Sequence, residues 1–262
     1  MFDFHGDRRR YFDMQIQNTH DYVIPFIEEQ YPITPNMRVL EIGCGEGGVL
    51  KAFIDKGCTG MGVELDNSRI EHGKQWLQKD IESGKIKLIS KDIYDVDAEN
   101  EFNGGFDIIV LKDVIEHIHD QKKLINRMKF FLNSNGAIFF GFPPWQMPYG
   151  GHQQMCRGKL LSKLPYFHLL PPPLYKWILK KRGEHWQAFI EMKETGISIE
   201  GFQQIVKECR YKIVHKRFYL LNPIYQYKFG LKPKTQFSFI SRIPIIRNFF
   251  TTCVYYLIQA HK

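Results

Sequence analysis

A glycine-rich turn between an apolar run and a helical pattern constrains this fold more than any other feature. The run Arg38–Ile42 (RVLEI) leads into residues 43–48 (GCGEGG), after which apolar residues recur at helical spacing. Glycines let the backbone bend sharply and approach a ligand without a Cβ clash, and the free N–H groups of the next helix make its start positive. Strand, glycine turn and helix in this order predict a ligand site at one edge of a sheet.

Short apolar runs alternate with helical periodicity through the first 142 residues. The predicted strands are Arg38–Ile42, Thr59–Glu64, Lys87–Ser90, Phe106–Leu111 and Gly136–Phe142. The predicted helices are Gly47–Lys56, a helix that Asn67 caps and that runs to about Glu82, and Gln121–Leu132. This alternation predicts right-handed βαβ units and a mainly parallel sheet, and therefore the α/β class.

Carboxylates follow the glycine turn and the next two strands. The spacing Gly43-x-Gly45-x-x-Gly48 also satisfies the dinucleotide pattern, in which the helix start faces a pyrophosphate. Glu41 at the mouth of the turn would repel a pyrophosphate but suits a cationic ligand. Glu64, at the end of the second strand, can accept hydrogen bonds from both hydroxyls of a ribose. Asp92, after the third strand, can accept from an adenine amine.

On these residues the chain resembles the class I S-adenosylmethionine-dependent methyltransferases. Residues 41–47 (EIGCGEG), Glu64, Asp92 and residues 106–117 (FDIIVLKDVIEH) look like the first four motifs of that family. The resemblance implies a doubly wound, Rossmann-like sheet of seven strands whose last strand is antiparallel, with Tyr211–Tyr219 and Cys253–Ile258 as strands six and seven. It also implies S-adenosyl-L-methionine as cofactor and S-adenosyl-L-homocysteine as product. The implied cofactor-binding residues are Glu41, Gly43, Cys44, Gly45, Glu64, Leu65, Asp92, Ile93, Lys112 and Asp113.

Four regions are predicted along the chain. Residues 1–34 form an N-terminal helical lid segment, with Tyr11, Tyr22, Phe26 and Ile27 as its apolar side chains, and residues 35–142 form the cofactor-binding core. Residues 143–197, which contain several prolines and tryptophans, form an insert that covers the substrate. Residues 198–262 complete the sheet and carry a basic, aromatic insert. The helical and irregular inserts together are expected to form a lid.

Two histidines are the candidate catalytic residues. His117 follows the fourth strand and His152 follows the fifth, where the substrate crevice of the resembled family lies. A neutral imidazole is a suitable general base near pH 7, although a purely structural hydrogen bond explains His117 equally well. Trp145, Tyr149 and Gln153 are the candidate substrate contacts, and the aromatic residues of the insert fit its own core equally well. No metal site is expected.

Charge and cysteine usage leave the acceptor open. The chain has 262 residues and a net charge of +8. Residues 1–142 carry 17 lysines and arginines against 23 aspartates and glutamates, whereas residues 202–262 carry 11 against one. The favoured acceptor is a small or medium molecule, anionic or aromatic, methylated on O, N or C. The alternatives are a lipid or isoprenoid acceptor at a membrane surface, or RNA, although no RNA-binding module is evident.

The five cysteines lack a CxxC pair, which favours a cytoplasmic location. No apolar stretch is long enough to predict a membrane-spanning helix. The oligomeric state is not predicted.

Overall fold

A computed structural model describes residues 7–260, and within them the chain forms one eight-stranded sheet. In chain order the strands are β1 Arg38–Ile42, β2 Thr59–Glu64, β3 Ile86–Ser90, β4 Phe106–Lys112, β5 Leu132–Phe142, β6 Tyr211–Leu221, β7 Lys234–Thr235 and β8 Cys253–Ala260. Their spatial order is β3-β2-β1-β4-β5-β8-β6-β7. The first five strands are parallel, and β8 lies antiparallel between β5 and β6. The doubly wound α/β class with an antiparallel last strand is confirmed.

Helices cover the sheet and build its inserts. In chain order they are α1 Arg8–Asn18, α2 Ile24–Glu28, α3 Gly48–Asp55, α4 Asn67–Trp76, α5 Gln78–Glu82, α6 Ala98–Phe102, α7 Gln121–Arg127, α8 Lys159–Lys163, α9 Pro172–Lys181, α10 Trp186–Thr195, α11 Ile199–Glu208, α12 Tyr225–Phe229, α13 Ser238–Ser241 and α14 Ile246–Phe249. Among residues 7–260, no helix is both long and apolar enough to cross a bilayer. All five cysteines are buried and unpaired.

Several details differ from the sequence expectation. The helix predicted over Gln121–Leu132 ends at Arg127, and β5 begins at Leu132 and not at Gly136. The sheet has eight strands and not seven, because the two-residue β7 pairs with the end of β6. Asn67 is not the N-cap of α4, since the Asp66 carboxylate accepts from the Ser68 amide at 2.8 Å. The helix predicted to reach Glu82 is broken at Leu77, whose side chain is 1% exposed.

Alternating side chains of each central strand fill two cores, one on each face of the sheet. In β1, Leu40 and Ile42 belong to one core, which also contains Phe140 of β5. Val39 belongs to the other, which contains Phe139. Because both faces are covered, β4 is apolar along nearly its whole length, as expected for a central parallel strand.

The N-terminal segment, predicted as a lid, divides between the core and the site. Phe26 of α2 is fully buried, with its ring centroid 5.8 Å from that of Phe139 and 5.5 Å from that of Tyr255. Ile27 is also fully buried, so α2 is part of the core and not of a lid. In contrast, α1 lies directly over the glycine turn, where a Cβ added to Gly48 would come 2.8 Å from the Phe12 carbonyl oxygen. Residues 1–6 of the predicted lid lie outside the described residues.

Most of the insert after β5 packs around a small core of its own. Tyr175 and Leu179 of α9 are fully buried against Phe167 and Phe189. This core holds α8, α9 and α10 together above the carboxyl ends of the strands. The Tyr166 hydroxyl donates to the Phe249 carbonyl at 2.9 Å and so joins the insert to α14.

Replacement of Gly73 by alanine is expected to destabilise the protein by about 1 kcal/mol, although alanine is normally the better helix former. Gly73 lies inside α4, where an added Cβ would stand 2.8 Å from the Glu46 carbonyl oxygen and 2.9 Å from Leu88 Cδ1. The glycine therefore permits α4 to pack against the glycine turn. Urea unfolding measures the effect, with exposed Glu71→Ala on the same helix as control. A Gly73→Ala variant more stable than the parent would refute this packing argument.

Candidate functional site

The turn between β1 and α3 requires glycine at three positions. Gly43, Gly45 and Gly47 have φ angles of 70°, 55° and 85°, in the left-handed region that glycine enters without a steric cost. The amides of Gly43 and Cys44 donate to the Val63 carbonyl at 2.8 and 3.2 Å, which fixes the turn to β2. The predicted strand–turn–helix unit is present, and its backbone is open to close approach.

A cavity of about 100 Å³, called here the glycine-turn cavity, lies between this turn and α1. Its wall contains both main-chain and charged groups. The side chains of this wall include Tyr11, Gln15, Glu41, Arg69, Lys112 and Asp113. Gly43 and Cys44 also line it, so five of the predicted cofactor-binding residues share one cavity.

Glu41 is a buried carboxyl group at the base of this cavity. Its side chain accepts from the Leu50 amide, in the first turn of α3, at 3.0 Å, and the residue is 3% exposed. Burial raises the pKa of Glu41 to about 8, against the lowering effects of that amide and of Lys112. With a pKa of about 8 the group is mostly protonated at neutral pH.

Glu64 lies at the end of β2 and contacts the glycine turn. Its carboxylate accepts from the Gly45 amide at 2.9 Å and from the Asp66 amide at 3.1 Å. Arg69 of α4 covers the same turn and forms an ion pair with Glu46, with 2.9 Å between Arg69 Nη2 and a Glu46 oxygen. Arg69 Nη1 also lies 3.9 Å from the Glu64 Oε2 oxygen. Arg69 thus lines the cavity on the β2 side, and Glu64 contacts the glycine turn and Arg69 without lining the cavity itself.

Asp92, Ile93 and Leu65 lie at the same edge of the sheet. The Asp92 carboxylate accepts from the Tyr94 amide at 2.9 Å and shapes the turn after β3. Ile93 is 7% exposed and packs into the core, and Leu65 is 71% exposed. Arg127 donates to the Ile93 carbonyl at 3.0 Å, which holds this turn in place. Adjacent strands therefore bring Glu64 and Asp92 to one edge, without direct contact between Asp92 and the cavity.

A lysine and an aspartate at the end of β4 form a tight ion pair. Lys112 Nζ stands 2.7 Å from an Asp113 oxygen, and the Lys112 side chain is 4% exposed. Burial, the largest influence, would lower the pKa of Lys112, but the charge and hydrogen bond of Asp113 together with the Tyr11 hydroxyl outweigh it and raise that pKa above its usual range. Asp113 has a φ of 57°, an unusual conformation that aims its carboxylate back at Lys112.

Lys228 of α12 approaches the same pair from the C-terminal region. Its ammonium lies 5.0 Å from the centroid of the Tyr11 ring. Burial lowers the pKa of Lys228 to about 8, a shift that Asp113 opposes and Lys112 reinforces. Elements from both ends of the chain therefore close this side of the site.

The two candidate catalytic histidines are neighbours. The ring centroids of His117 and His152 are 4.9 Å apart. Both line a second cavity of about 30 Å³, called here the histidine cavity, whose apolar wall includes Pro143, Trp145 and Ile197. Gly151 and Gly196 leave room for the Trp145 ring, because a Cβ at these positions would come 2.9 Å and 2.5 Å from it. The sequence Pro143-Pro-Trp145 thus follows the end of β5 and forms a cavity wall.

Glu116 also lines the histidine cavity, although it was not among the predicted site residues. It is 8% exposed, and its Oε2 has no hydrogen-bond partner among the described residues. Burial, reinforced by the charge of Asp113, raises the pKa of Glu116 well above its usual range. A carboxyl group whose protonated form burial favours therefore faces a small cavity beside two imidazoles.

Tyr149 and Gln153 occupy very different positions. Tyr149 is 47% exposed on the insert. Gln153 is fully buried, and its amide donates to the Leu164 carbonyl at 2.7 Å while its oxygen lies 3.3 Å from His168 Nδ1. The Gln153 side chain thus holds the insert together and is not exposed to a substrate in this structure.

Sequence reasoning did not assign Gln15, Arg69, Glu116 or Lys228 to the site. Arg69 had the clearest available signal, because it lies in the first turn of the helix that follows Glu64. Gln15 and Lys228 reach the site only through long-range packing, which the sequence alone does not disclose. Within residues 7–260, no group of three or more His, Cys, Asp or Glu side chains is arranged to hold a metal ion.

Comparisons with solved structures show the same fold at low sequence identity. A magnesium protoporphyrin IX methyltransferase from Synechocystis with bound SAH superposes with a TM-score of 0.54 and 13% identity, covering 94% of this chain and 84% of the other. An S-adenosylmethionine-dependent methyltransferase from Clostridium acetobutylicum gives a TM-score of 0.56 and 13% identity, covering 94% and 92%.

Curated relatives match the chain over part of its length. The ubiquinone biosynthesis O-methyltransferase of Coxiella burnetii is 26% identical over 122 residues, which are 45% of this chain and 47% of the relative. The match thus spans about half the length of that curated relative. The family model described as a methyltransferase domain matches residues 15–191. Because this match covers more than half of the chain and includes the glycine turn, His117 and His152, the chain belongs to the methyltransferase domain family.

Proposed function

We propose that this chain is an S-adenosylmethionine-dependent methyltransferase that methylates an O, N or C atom of a small or medium-sized molecule. The observation that carries the proposal is the glycine turn with its cavity: a buried carboxyl group, Glu41, lines the cavity, and the Glu64 carboxylate accepts from the Gly45 amide of the same turn. Acidic groups in these positions disfavour a diphosphate and suit a nucleoside with a cationic sulfur and an ammonium group. Family membership and the SAH-bound structural neighbour support the same cofactor.

The residues of the cavity and of the adjoining ends of β2 and β3 match the parts of such a cofactor. Glu64 would accept from the ribose hydroxyls, and Asp92 with Ile93 would hold the adenine. Glu41 and Asp113 would face the ammonium and the sulfonium, while Arg69 and Lys112 supply positive charge for the carboxylate. Gly43, Cys44 and Gly45 provide the backbone surface that such a ligand approaches, and Leu65 flanks the adenosine side.

The cofactor supplies an activated methyl group, and the protein supplies placement and electrostatics. Holding the acceptor atom in line with the methyl group contributes roughly 7–11 kcal/mol through orientation alone. In this proposal, Trp145 and Tyr149 position the acceptor, and His152 or His117 accepts its proton where one must be lost. The protonated Glu116 then donates a hydrogen bond to a neutral or anionic oxygen of the acceptor.

The matched relatives favour a small-molecule acceptor. The Coxiella burnetii protein is a ubiquinone biosynthesis O-methyltransferase, and another structural neighbour is the plantazolicin methyltransferase BpumL in complex with desmethylPZN analogues and SAH. The small, partly apolar histidine cavity agrees with an acceptor that inserts only a limited polar group.

Burial raises the pKa of Glu41 to about 8, so the carboxyl group ionises progressively between pH 6 and pH 8. The affinity for S-adenosylmethionine is expected to rise over the same range. A cationic ligand favours the ionised carboxylate, so binding displaces a proton from Glu41. The raised pKa also makes the stability of the ligand-free protein depend on pH. Protonated Glu41 contributes its whole stabilising effect below the unfolded-state pKa near 4.5, and this effect is lost as the pH rises through about 8.

Calorimetry in two buffers of different ionisation enthalpy measures the released proton directly. Glu41→Gln is expected to remove the release, and S-adenosylhomocysteine, which lacks the sulfonium charge, to reduce it. Identical heats in both buffers for the parent protein would contradict the placement of Glu41 beside the cation.

A thermal-shift comparison of ligands tests the proposed function itself. S-adenosylmethionine and S-adenosylhomocysteine are each expected to raise the melting temperature, because a ligand that binds only the folded state stabilises it. NAD(H) serves as the control for the dinucleotide alternative. Stabilisation by NAD(H) without stabilisation by S-adenosylhomocysteine would overturn the proposal.

A further inference from the structure

The region after α12 exposes large apolar side chains over a short stretch of chain. Each of the following is at least 42% exposed, and together they are called here the apolar surface: Leu231, Phe237, Phe239, Ile243, Ile245, Ile246 and Phe250. The rings of Phe237 and Phe239 stack with centroids 5.8 Å apart. Single exposed apolar residues need no explanation, but a concentration of this kind indicates an interaction surface.

Exposed cations are interspersed with the apolar surface, and acidic residues are lacking. Lys232, Lys234 and Arg242 are exposed, and Lys234 Nζ lies 5.0 Å from the Phe237 ring centroid. From residue 209 to residue 262 the sequence contains no aspartate or glutamate. The charge of the region therefore complements an anionic partner.

The backbone presents Ile245 outward in a conformation that isoleucine rarely adopts. Its φ and ψ are 66° and −55°, and the Ile246 amide donates to the Pro244 carbonyl at 2.7 Å. These values describe the strained form of the γ-turn, which is unusual for any β-branched residue. The Ile245 side chain is nonetheless 66% exposed, so no burial of its own compensates the strain.

A buried polar network holds this turn in place. One oxygen of Glu200, on α11, accepts from the Ile245 amide at 3.0 Å and from Arg247 Nε at 2.9 Å. The other accepts from the Asn248 side-chain amide. Arg247 is 8% exposed and Asn248 is 1% exposed. The polar groups of the segment thus face inward while its isoleucines face solvent, the reverse of an ordinary surface turn.

We propose that the apolar surface docks this protein onto an anionic lipid bilayer. Aromatic and aliphatic side chains would enter the headgroup region, and the interspersed cations would contact lipid phosphates. A bilayer explains both the exposed cations and the apolar tips, whereas a second copy of this chain would bring the same cations together. The inference does not depend on the proposed methyltransferase activity.

Vesicle sedimentation of the full chain tests the proposal. The protein is expected to sediment with vesicles of phosphatidylcholine mixed with phosphatidylglycerol, to bind weakly to phosphatidylcholine alone, and to be released by high salt. The double variant Phe239→Ser/Ile245→Gly is expected to lose about tenfold or more in affinity for the mixed vesicles. Phe130→Ser is the matched control, because Phe130 is 81% exposed but lies before β5, outside the apolar surface.

Thermal unfolding of Ile245→Gly separates docking from a structural role. Glycine adopts a φ of 66° without strain, so the variant is expected to be at least as stable as the parent while it binds vesicles more weakly. A charge variant, Lys232→Gln/Lys234→Gln/Arg242→Gln, is expected to lose the preference for anionic lipid.

Failure of the parent to sediment with either vesicle would overturn the proposal, as would equal binding by the parent and the double variant. Dimerisation that Ile245→Gly abolishes, without vesicle binding, would assign the surface to a second copy and equally overturn it. S-adenosylhomocysteine binding, measured on the same preparations, reports on the proposed function separately.

Discussion

Replacement of Glu64 by glutamine is expected to weaken S-adenosylhomocysteine binding by roughly 10- to 100-fold. Hydrogen bonds from ligand hydroxyls to a carboxylate contribute about 1.5–3 kcal/mol each, and loss of the charge removes much of that contribution. Glutamine keeps one oxygen that can accept from the Gly45 amide, which Glu64 contacts at 2.9 Å, although its NH2 group cannot accept from the Asp66 amide. The contact with the glycine turn should therefore persist, with a small loss of stability beside the larger loss of affinity.

Isothermal titration calorimetry measures this affinity, and Glu64→Ala is expected to lose more because the Gly45 contact also disappears. Glu71→Gln, an exposed substitution on α4, provides the control. Equal affinities for the parent and Glu64→Gln would contradict the assignment of the β2 carboxylate to the ribose.

Replacement of Asp113 by asparagine is expected to destabilise the protein by about 2–3 kcal/mol. The change leaves the Lys112 ammonium, whose side chain is 4% exposed, without its charged partner, and an uncompensated buried charge is costly. The expected loss is at the low end for a broken buried ion pair, because the Asp113 side chain is 38% exposed and water reaches the pair. Asparagine tolerates the φ of 57°, and the substitution therefore tests charge and not backbone conformation.

Urea unfolding measures the loss, and the double variant Lys112→Met/Asp113→Asn is expected to recover much of it by removing the unpaired charge. If the single and double variants were equally unstable, the ion pair would not be the cause.

Local patterns were sufficient to predict most of the fold. The bounds of β1 and β2 follow from apolar runs that end in glycine or in an acid, and those expectations are confirmed. The eighth strand was missed because β7 has only two residues, too few for any periodicity. The N-cap of α4 was misplaced by one residue, since Asp66 and Asn67 are both good caps and only geometry distinguishes them.

The candidate site was predictable where residues adjoin the ends of strands. Glu41, Gly43, Cys44, Lys112 and Asp113 share the glycine-turn cavity because parallel strands end at one edge of the sheet. Lys228 and Gln15 were not predictable, because they arrive on elements far away in sequence. Gln153, a predicted substrate contact, is instead fully buried, and its amide donates to backbone carbonyls of the insert.

A crystal structure of the chain with S-adenosylhomocysteine tests the central claim most directly. The account predicts the adenosine at the carboxyl ends of β1, β2 and β3, with both ribose hydroxyls within hydrogen-bond distance of the Glu64 carboxylate and the adenine amine beside Asp92. An adenosine bound elsewhere, or one whose ribose contacts neither Glu64 nor the glycine turn, would contradict it.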